Sequence, residues 1–183
     1  MLNKNKRIML VVLSFGMLLF GLLLAGCSQT GAGDFDKDAI EEVLAIQFNG
    51  PDEEFIDVMW NPEYKTVVDG AEVNEKFDKY IQETYGEYFT ESALDTFMRT
   101  FGGAYQSFAH SNDYTLNLKG VTIEESEKVS NKYTFTAQVG YQKESGEEEI
   151  ADVEGVVLFS PAEKKIGKFQ YGNDSGLSDE LRK

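Results

Sequence analysis

The nine residues YTFTAQVGY, at positions 133–141, decide the fold class predicted for this chain. Their odd positions hold Tyr, Phe, Ala, Val and Tyr, and their even positions hold Thr, Gln or Gly. Because successive side chains of a β-strand point to opposite faces, this alternation predicts a strand with one buried face. We expect the strand to lie in the centre of a sheet, with its odd-numbered side chains against a layer of helices.

Shorter stretches of the same kind surround this strand. Apolar and polar residues alternate over 114–118, and apolar residues mark two more strands at 153–159 and 166–171. Short polar connections join consecutive strands, as at 144–147 and 161–164. Consecutive strands with short links predict an antiparallel meander of four strands.

The first half of the chain follows a helical period instead. Apolar residues recur every three or four positions, which predicts four helices. The predicted spans are 34–48, 51–60, 71–85 and 90–101, with Thr90 as an N-cap and a break or kink at Gly102-Gly103. Residues 64–68 are either a short strand or an extended link. This order predicts an α+β fold, with N-terminal helices packed on a C-terminal four-stranded curved antiparallel sheet.

The first 27 residues have the layout of a signal peptide. Three basic residues within positions 4–7 precede an uncharged run from 8 to 24, and two small residues follow it. A permanent membrane-spanning helix is the alternative, although the 17 residues of this run are fewer than the ~20 that a span needs.

The residues Leu24-Ala25-Gly26-Cys27, at the end of this run, resemble the lipobox of bacterial lipoproteins. The resemblance implies that residues 1–26 are a lipoprotein signal peptide, that cleavage falls between Gly26 and Cys27, and that the thiol of Cys27 carries diacylglycerol. Two acyl chains suffice for stable anchoring. The leader is similar in style to those of Gram-positive lipoproteins, and the sequence leaves a one-membrane or two-membrane host open. We therefore expect a lipid-anchored protein on the extracytoplasmic face of the cell membrane.

The mature chain divides into three parts. Residues 27–33 are predicted to be the lipidated cysteine and a flexible tether, 34–172 a single α+β domain, and 173–183 a loose C-terminal tail. The order of elements over 35–171 resembles the nuclear transport factor 2-like (cystatin-like) superfamily, in which a bent sheet caps a cone of helices. That superfamily often places a helix between early strands, whereas only 64–68 supplies an early strand here. The resemblance implies isomerase or dehydratase chemistry as an alternative to a binding role.

Composition excludes several function classes. The chain carries 17 basic and 32 acidic residues, a formal net charge of −15, which argues against nucleic acid as a partner because phosphate binding needs Lys and Arg. One cysteine and one histidine exclude an intramolecular disulfide, a cysteine-based zinc site and a multi-histidine metal site. We therefore expect no cofactor and no metal.

Acidic residues concentrate in the helical half. Residues 34–111 hold 18 acidic and 5 basic side chains, whereas 112–183 hold 14 and 9. A solvated helical face accounts for this, and a docking face for a basic partner is the alternative. The stretch DFDKD at 34–38 begins like a calcium-binding loop, but Ala39 and Ala45 stand where such a loop needs Gly and Glu, so the motif is rejected.

A stripe of aromatic residues recurs at helical spacing after position 96. Such a stripe most often packs in a core, and the alternative is a ligand pocket between helices and sheet. His110 follows the stripe and, with Asp113 near it in sequence, is the starting point for acid–base catalysis in that alternative. The candidate pocket residues are Phe97, Phe101, Tyr105, Phe108, His110, Tyr114 and Tyr133.

These observations predict a membrane-anchored extracytoplasmic lipoprotein whose domain is not an enzyme and binds an envelope protein or a wall component. The sequence holds no Gly-rich phosphate loop and no Gly-x-Ser-x-Gly hydrolase motif, so no residue is assigned a catalytic role. The alternative is small-molecule binding or an isomerase-like activity in the pocket between helices and sheet.

Overall fold

The computed structural model describes residues 32–144 and 146–183. The α+β domain comprises residues 34–183. The predicted signal peptide, its cleavage position and the lipidation residue Cys27 lie outside the described residues. The first helix begins at Ala32, so the last two residues of the predicted tether are helical.

Within the described residues, five helices precede the large sheet. They are α1 (Ala32–Phe48), α2 (Glu53–Trp60), α3 (Glu75–Tyr85), α4 (Glu91–Thr100) and α5 (Ala104–Ser111), with a 3₁₀ turn at Pro62–Tyr64. The side chains of Asp52, Asn74 and Thr90 cap α2, α3 and α4 by accepting hydrogen bonds from backbone amides of the first turn, which confirms the predicted Thr90 cap. The predicted interruption at Gly102-Gly103 separates α4 from α5. None of the described helices is long and apolar enough to cross a membrane.

A short β-hairpin between α2 and α3 corrects one prediction. Strand β1 (Thr66–Val68) pairs antiparallel with β2 (Ala71–Val73), so the strand, and not the extended link, is the correct alternative for residues 64–68. Asp69 and Gly70 form the two-residue turn with φ angles of 51° and 82°, a conformation that the Asp-Gly dipeptide favours. The prediction that a helix starts near Ala71 is therefore wrong, because α3 starts only after β2 has ended.

The large sheet is an antiparallel meander, as predicted. It consists of β3 (Tyr114–Glu125), β4 (Lys132–Lys143), β5 (Glu149–Ser160) and β6 (Lys165–Tyr171), hydrogen-bonded in the order β3-β4-β5-β6. The central position predicted for β4 is confirmed, because it pairs with β3 on one side and β5 on the other. Its odd-numbered side chains from 133 to 139 are buried, and Thr134 and Gln138 on the other face are exposed, which confirms the predicted register.

One hydrophobic core joins the helices to the inner face of the sheet, which confirms the α+β class. Helix α1 contributes four side chains at helical spacing that are completely buried: Ile40, Val43, Leu44 and Phe48. Aromatic rings meet across the layers, since the Phe169 ring centroid lies 5.2 Å from that of Phe97 in α4 and 5.3 Å from that of Phe135 in β4.

Residues 173–183 pack against the domain, which corrects the predicted loose tail. They contain the short helix α6 (Leu177–Glu180), and both Leu177 and Leu181 are buried. Asn112, at the end of α5, donates a hydrogen bond of 2.9 Å from Nδ2 to the carbonyl oxygen of Leu181. Two leucines four positions apart lie on one face of a helical turn, so this otherwise polar segment buries apolar surface.

The two ends of the large sheet lie far apart. At the α1 end, β4 begins, β5 ends, and the Tyr133 hydroxyl donates a hydrogen bond of 3.0 Å to Oδ2 of Asp36 in the first turns of α1. At the distal end, β4 ends and β5 begins. The 12 residues of β4, at ~3.3 Å per residue, separate the two ends by about 35 Å.

Candidate functional site

An open groove of about 680 Å³ lies at the distal end of the sheet. One wall consists of the corner between α1 and α2 together with the first turns of α2. The other wall consists of the end of α5, the start of β3 and Glu144 from the connection between β4 and β5. The groove contains the single histidine of the chain, His110, and several acidic side chains, and for that reason it is the candidate site.

Gln106, a buried residue of α5, holds the corner that starts the first wall. Its Oε1 accepts a hydrogen bond of 2.7 Å from the backbone amide of Asp52. Its Nε2 donates to the carbonyl oxygens of Ile46 at 2.8 Å and Gln47 at 3.2 Å. These carbonyls belong to the last turn of α1, whose backbone acceptors have no partner within the helix, so one amide side chain joins the end of α1, the cap of α2 and α5.

The same corner is joined to the edge of the sheet. Gly50 and Leu116 of β3 exchange two backbone hydrogen bonds, of 3.1 Å and 2.7 Å, and Asn49 Oδ1 accepts from the Leu118 amide at 2.9 Å. A Cβ at position 50 would collide with Gln106 Oε1 and lie 2.9 Å from the backbone nitrogen of Asp52, so a larger residue there would force the corner to shift. The first wall is therefore fixed against both α5 and β3.

Tyr80 stabilises Asp52, the N-cap residue of α2. The Tyr80 hydroxyl donates a hydrogen bond of 2.8 Å to Oδ2 of Asp52, whose other carboxylate oxygen caps the helix. Burial, together with this carboxylate, raises the pKa of Tyr80, so the phenol remains a donor at neutral pH.

Asp113, a residue in the left-handed conformation, sets the direction of the second wall. Helix α5 ends at Ser111, and Asp113 has a φ angle of 58°, which turns the chain directly into β3. The Asp113 carbonyl oxygen accepts a hydrogen bond of 3.1 Å from the Glu144 amide, so the connection between β4 and β5 closes the wall. His110 lies in the last helical turn of α5 and is exposed toward the groove.

The floor of the groove is apolar and its rim is acidic. Ile56, Ala109 and Tyr114 line it and are buried, and none of the described lining residues is lysine or arginine. The Lys143 ammonium lies 5.1 Å from the centroid of the Tyr114 ring and is a basic group beside this floor. The exposed acidic residues of the rim are Glu53, Asp57, Asp113 and Glu144.

This arrangement fits a ligand that combines positive charge with an apolar part. Carboxylates on a concave surface concentrate cationic groups near it, and a buried apolar floor accepts hydrocarbon or peptide surface. Within residues 32–144 and 146–183, no three His, Cys, Asp or Glu side chains are placed to hold one metal ion.

The structure does not bring the seven predicted pocket residues together. Phe97, Tyr105 and Tyr133 are buried in the core, whereas His110 and Tyr114 line the distal groove. Aromatic stripes on α4 and α5 face the sheet, and their rings fill the space between the layers. The remaining two, Phe101 and Phe108, are half-buried: the Phe101 ring lies 5.6 Å from that of Tyr171, and the Arg182 guanidinium covers Phe108 at 4.2 Å.

Two polar side chains stand inside this aromatic core. Gln47 donates from Nε2 to the Tyr85 hydroxyl at 2.7 Å and to the Gly102 carbonyl oxygen at 3.1 Å. Within the described residues, Gln47 Oε1 and the Tyr171 hydroxyl have no hydrogen-bond partner. Burial holds the pKa of Tyr171 well above its usual value, so this phenol is neutral.

Sequence reasoning missed the groove residues other than His110, Tyr114 and their neighbour Asp113. A signal for one pair was present, because Glu53 and Asp57 lie four positions apart and therefore on one face of α2. Gln106 also carried a signal, since it is a polar residue within an aromatic stripe. Neither signal identifies which element packs against that helix or forms the other wall of the groove.

The chain matches no protein-family model, and neither curated proteins nor solved structures show a significant similarity to it.

Proposed function

We propose that this protein is a lipoprotein, anchored through Cys27 on the extracytoplasmic face of the cell membrane, that binds an envelope protein or a wall component in the distal groove. The lipobox residues Leu24-Ala25-Gly26-Cys27 support the anchor. The partner presents basic groups beside an apolar surface, because the groove has an acidic rim and an apolar floor. Binding, and no chemical conversion, is the proposed role.

The position of the groove relative to α1 is the observation that carries this proposal. The chain that leads to Cys27 joins the domain at the start of α1, and the first turns of α1 lie at the α1 end of the sheet. The groove lies at the other end, about 35 Å away along β4. A binding site in this place lies far from the point at which the chain enters the domain, and this separation supports its use by an extracytoplasmic partner.

Site-specific photocrosslinking in intact cells tests the proposal. A photoreactive residue at Thr115, which is exposed in the groove, should give an adduct with one partner, whereas the same residue at Thr134 on the outer face of the sheet should not. Asp57→Asn should weaken the Thr115 adduct, and Asp95→Asn, which removes an exposed acid of α4 outside the groove, should leave it unchanged. Equal adducts from Thr115 and Thr134, or an adduct insensitive to Asp57→Asn, would contradict binding in the groove.

A further inference from the structure

Three segments that are distant in sequence meet at the α1 end of the sheet. They are the first turns of α1, the connection between β3 and β4, and the turn between β5 and β6. An antiparallel meander places both connections at one end, and the bond from Tyr133 to Asp36 brings α1 there. The Asn131 carbonyl oxygen accepts a hydrogen bond of 2.8 Å from the Phe159 amide, which joins the connection between β3 and β4 to the end of β5.

Two apolar side chains are exposed at this end. Phe35 in the first turn of α1 is 64% exposed, and Val129 in the connection between β3 and β4 is 46% exposed. The Val129 amide donates a hydrogen bond of 3.2 Å to Ser126 Oγ. Phe35 borders a small cleft whose charged lining residues are Asp38, Glu42, Glu87 and Lys164. Single exposed apolar side chains are common on protein surfaces, and comparable ones lie at Trp60, Val67 and Ile150, so the weight of these two comes from their place beside the start of α1.

The charge of this end differs from that of the rest of the domain. Residues 34–38, 125–132 and 160–165 contain five lysines and six acidic residues, and one of those acids, Asp36, is buried against Tyr133. The rest of the mature chain holds nine basic and 26 acidic residues. An anionic surface therefore repels the rest of the domain, taken as a whole, more strongly than it repels the α1 end.

We propose that the α1 end is a membrane-contact surface, with Phe35 and Val129 in the headgroup region of the bilayer and the neighbouring lysines close to lipid phosphates. This inference rests on the proposed lipid anchor. Cys27 precedes Ala32 by five positions, which reach at most about 17 Å when fully extended, about half the distance between the ends of the sheet. The anchor therefore keeps the α1 end within reach of the lipid, and the exposed side chains hold it there.

The consequence is a fixed orientation of the domain. A short chain alone lets the domain turn about the anchor, so that the groove faces the membrane for part of the time. Apolar contacts ~5–10 Å deep in the interface favour the orientation in which the distal groove faces outward.

Depth-dependent quenching of tryptophan fluorescence tests this inference on the mature lipidated chain in vesicles of phosphatidylcholine and phosphatidylglycerol with brominated acyl chains. Trp60 is the single tryptophan, so Trp60→Phe provides a silent background. Phe35→Trp and Val129→Trp are each introduced into it. The matched control is Ile150→Trp, since Ile150 is 61% exposed and lies at the distal end where β5 begins.

We expect the indole introduced by Phe35→Trp or by Val129→Trp to lose a severalfold larger fraction of its fluorescence than the one introduced by Ile150→Trp. If the protein floats with the vesicles but all three variants are quenched equally, the anchor stands and the membrane-contact surface is refuted. If the intact chain does not float with the vesicles, the lipid anchor itself is refuted, and this inference with it. Thermal unfolding of each variant identifies any that fails to fold, and the two probes at the α1 end test the surface independently.

Discussion

Replacing the buried Gln106 by methionine should cost on the order of 3 kcal/mol of folding free energy and loosen the first wall of the groove. The side chain makes three hydrogen bonds, to Asp52, Ile46 and Gln47, of 2.7 to 3.2 Å. A buried backbone group that loses its partner costs ~1–3 kcal/mol, so three such groups set an upper range of roughly 3–9 kcal/mol. Two of the three bonds are only part-buried, so water replaces some of the loss and the low end of that range is expected.

Urea unfolding followed by the fluorescence of Trp60 measures this cost. Trp60 ends α2, so its signal comes from the element that Gln106 holds in place. The matched control is Gln138→Met, on the exposed face of β4, which should change the free energy of unfolding by no more than about 0.5 kcal/mol. Equal unfolding midpoints for the two variants would refute the role assigned to Gln106.

Hydrogen exchange separates the local effect from the global one. The Leu116 amide donates a hydrogen bond of 2.7 Å to Gly50, so it reports directly on the contact between the corner and β3. Gln106→Met should speed its exchange by more than the loss of global stability explains. A variant that is destabilised but keeps the native protection of Leu116 would show that the corner does not depend on Gln106.

Three further predictions follow from the core, the C-terminal segment and the leader. Phe135→Ala should cost ~3–5 kcal/mol, because the ring is buried against Phe169 and leaves a cavity, whereas Thr136→Ala on the other face should cost far less; equal losses in urea unfolding would contradict the register of β4. Burial of Asp174 opposes its ionisation, but hydrogen bonds from Ser178 and Gly176 outweigh burial and lower the pKa of the carboxyl. The carboxylate therefore contributes fully to the free energy of unfolding above the usual carboxyl pKa, and this contribution is lost as pH falls through the lowered pKa. The stability difference between the wild type and Asp174→Asn should therefore shrink on going from neutral pH to below about pH 3, and a constant difference would argue against this role. Cys27→Ser should abolish lipid attachment and processing, and an unchanged mass in the membrane fraction would indicate that the leader is a plain anchor.

The parts of the fold that could be predicted are those whose signal is local and repeated. The alternation over 133–141 identified β4 because five apolar side chains at a period of two require one buried face. The order of the strands followed from the short connections between them. The Thr90 cap was predictable because an N-cap needs only a short polar side chain that accepts a hydrogen bond from a backbone amide two or three residues later.

The errors concern short segments in which two signals compete. Residues 71–73 carry apolar spacing that suits a helix, but the preceding Asp-Gly pair makes a hairpin turn, and the turn prevailed. Residues 173–183 are polar overall, yet burial of Leu177 and Leu181 packs this segment against the hydrophobic core. In both places a few residues decided the structure, against helical spacing in the first segment and against average composition in the second.

The groove was harder to predict because its walls depend on contacts between distant positions. The predicted end of the first helix at position 48 is confirmed, but the sequence does not show that a Cβ at Gly50 would collide with Gln106, which is 56 positions away. Gly50 thus follows the end of the helix and also leaves room for Gln106, and only the end of the helix can be predicted from neighbouring residues. The relative placement of α5 and this corner depends on the edge of β3, so no single segment contains the information.

Buried glutamines nevertheless give a way to find such sites. An amide on an apolar helix face must find partners, since an unpaired buried amide is costly, and the backbone groups without partners are those at helix ends. Gln106 reaches the end of α1 and the start of α2, and Gln47 reaches the Gly102 carbonyl oxygen between α4 and α5. Each therefore ties its own helix to an irregular part of the backbone, where helices end and grooves open. A glutamine within an apolar stripe thus predicts a helix terminus packed beside it, and the segment around that terminus is where a surface site is to be sought.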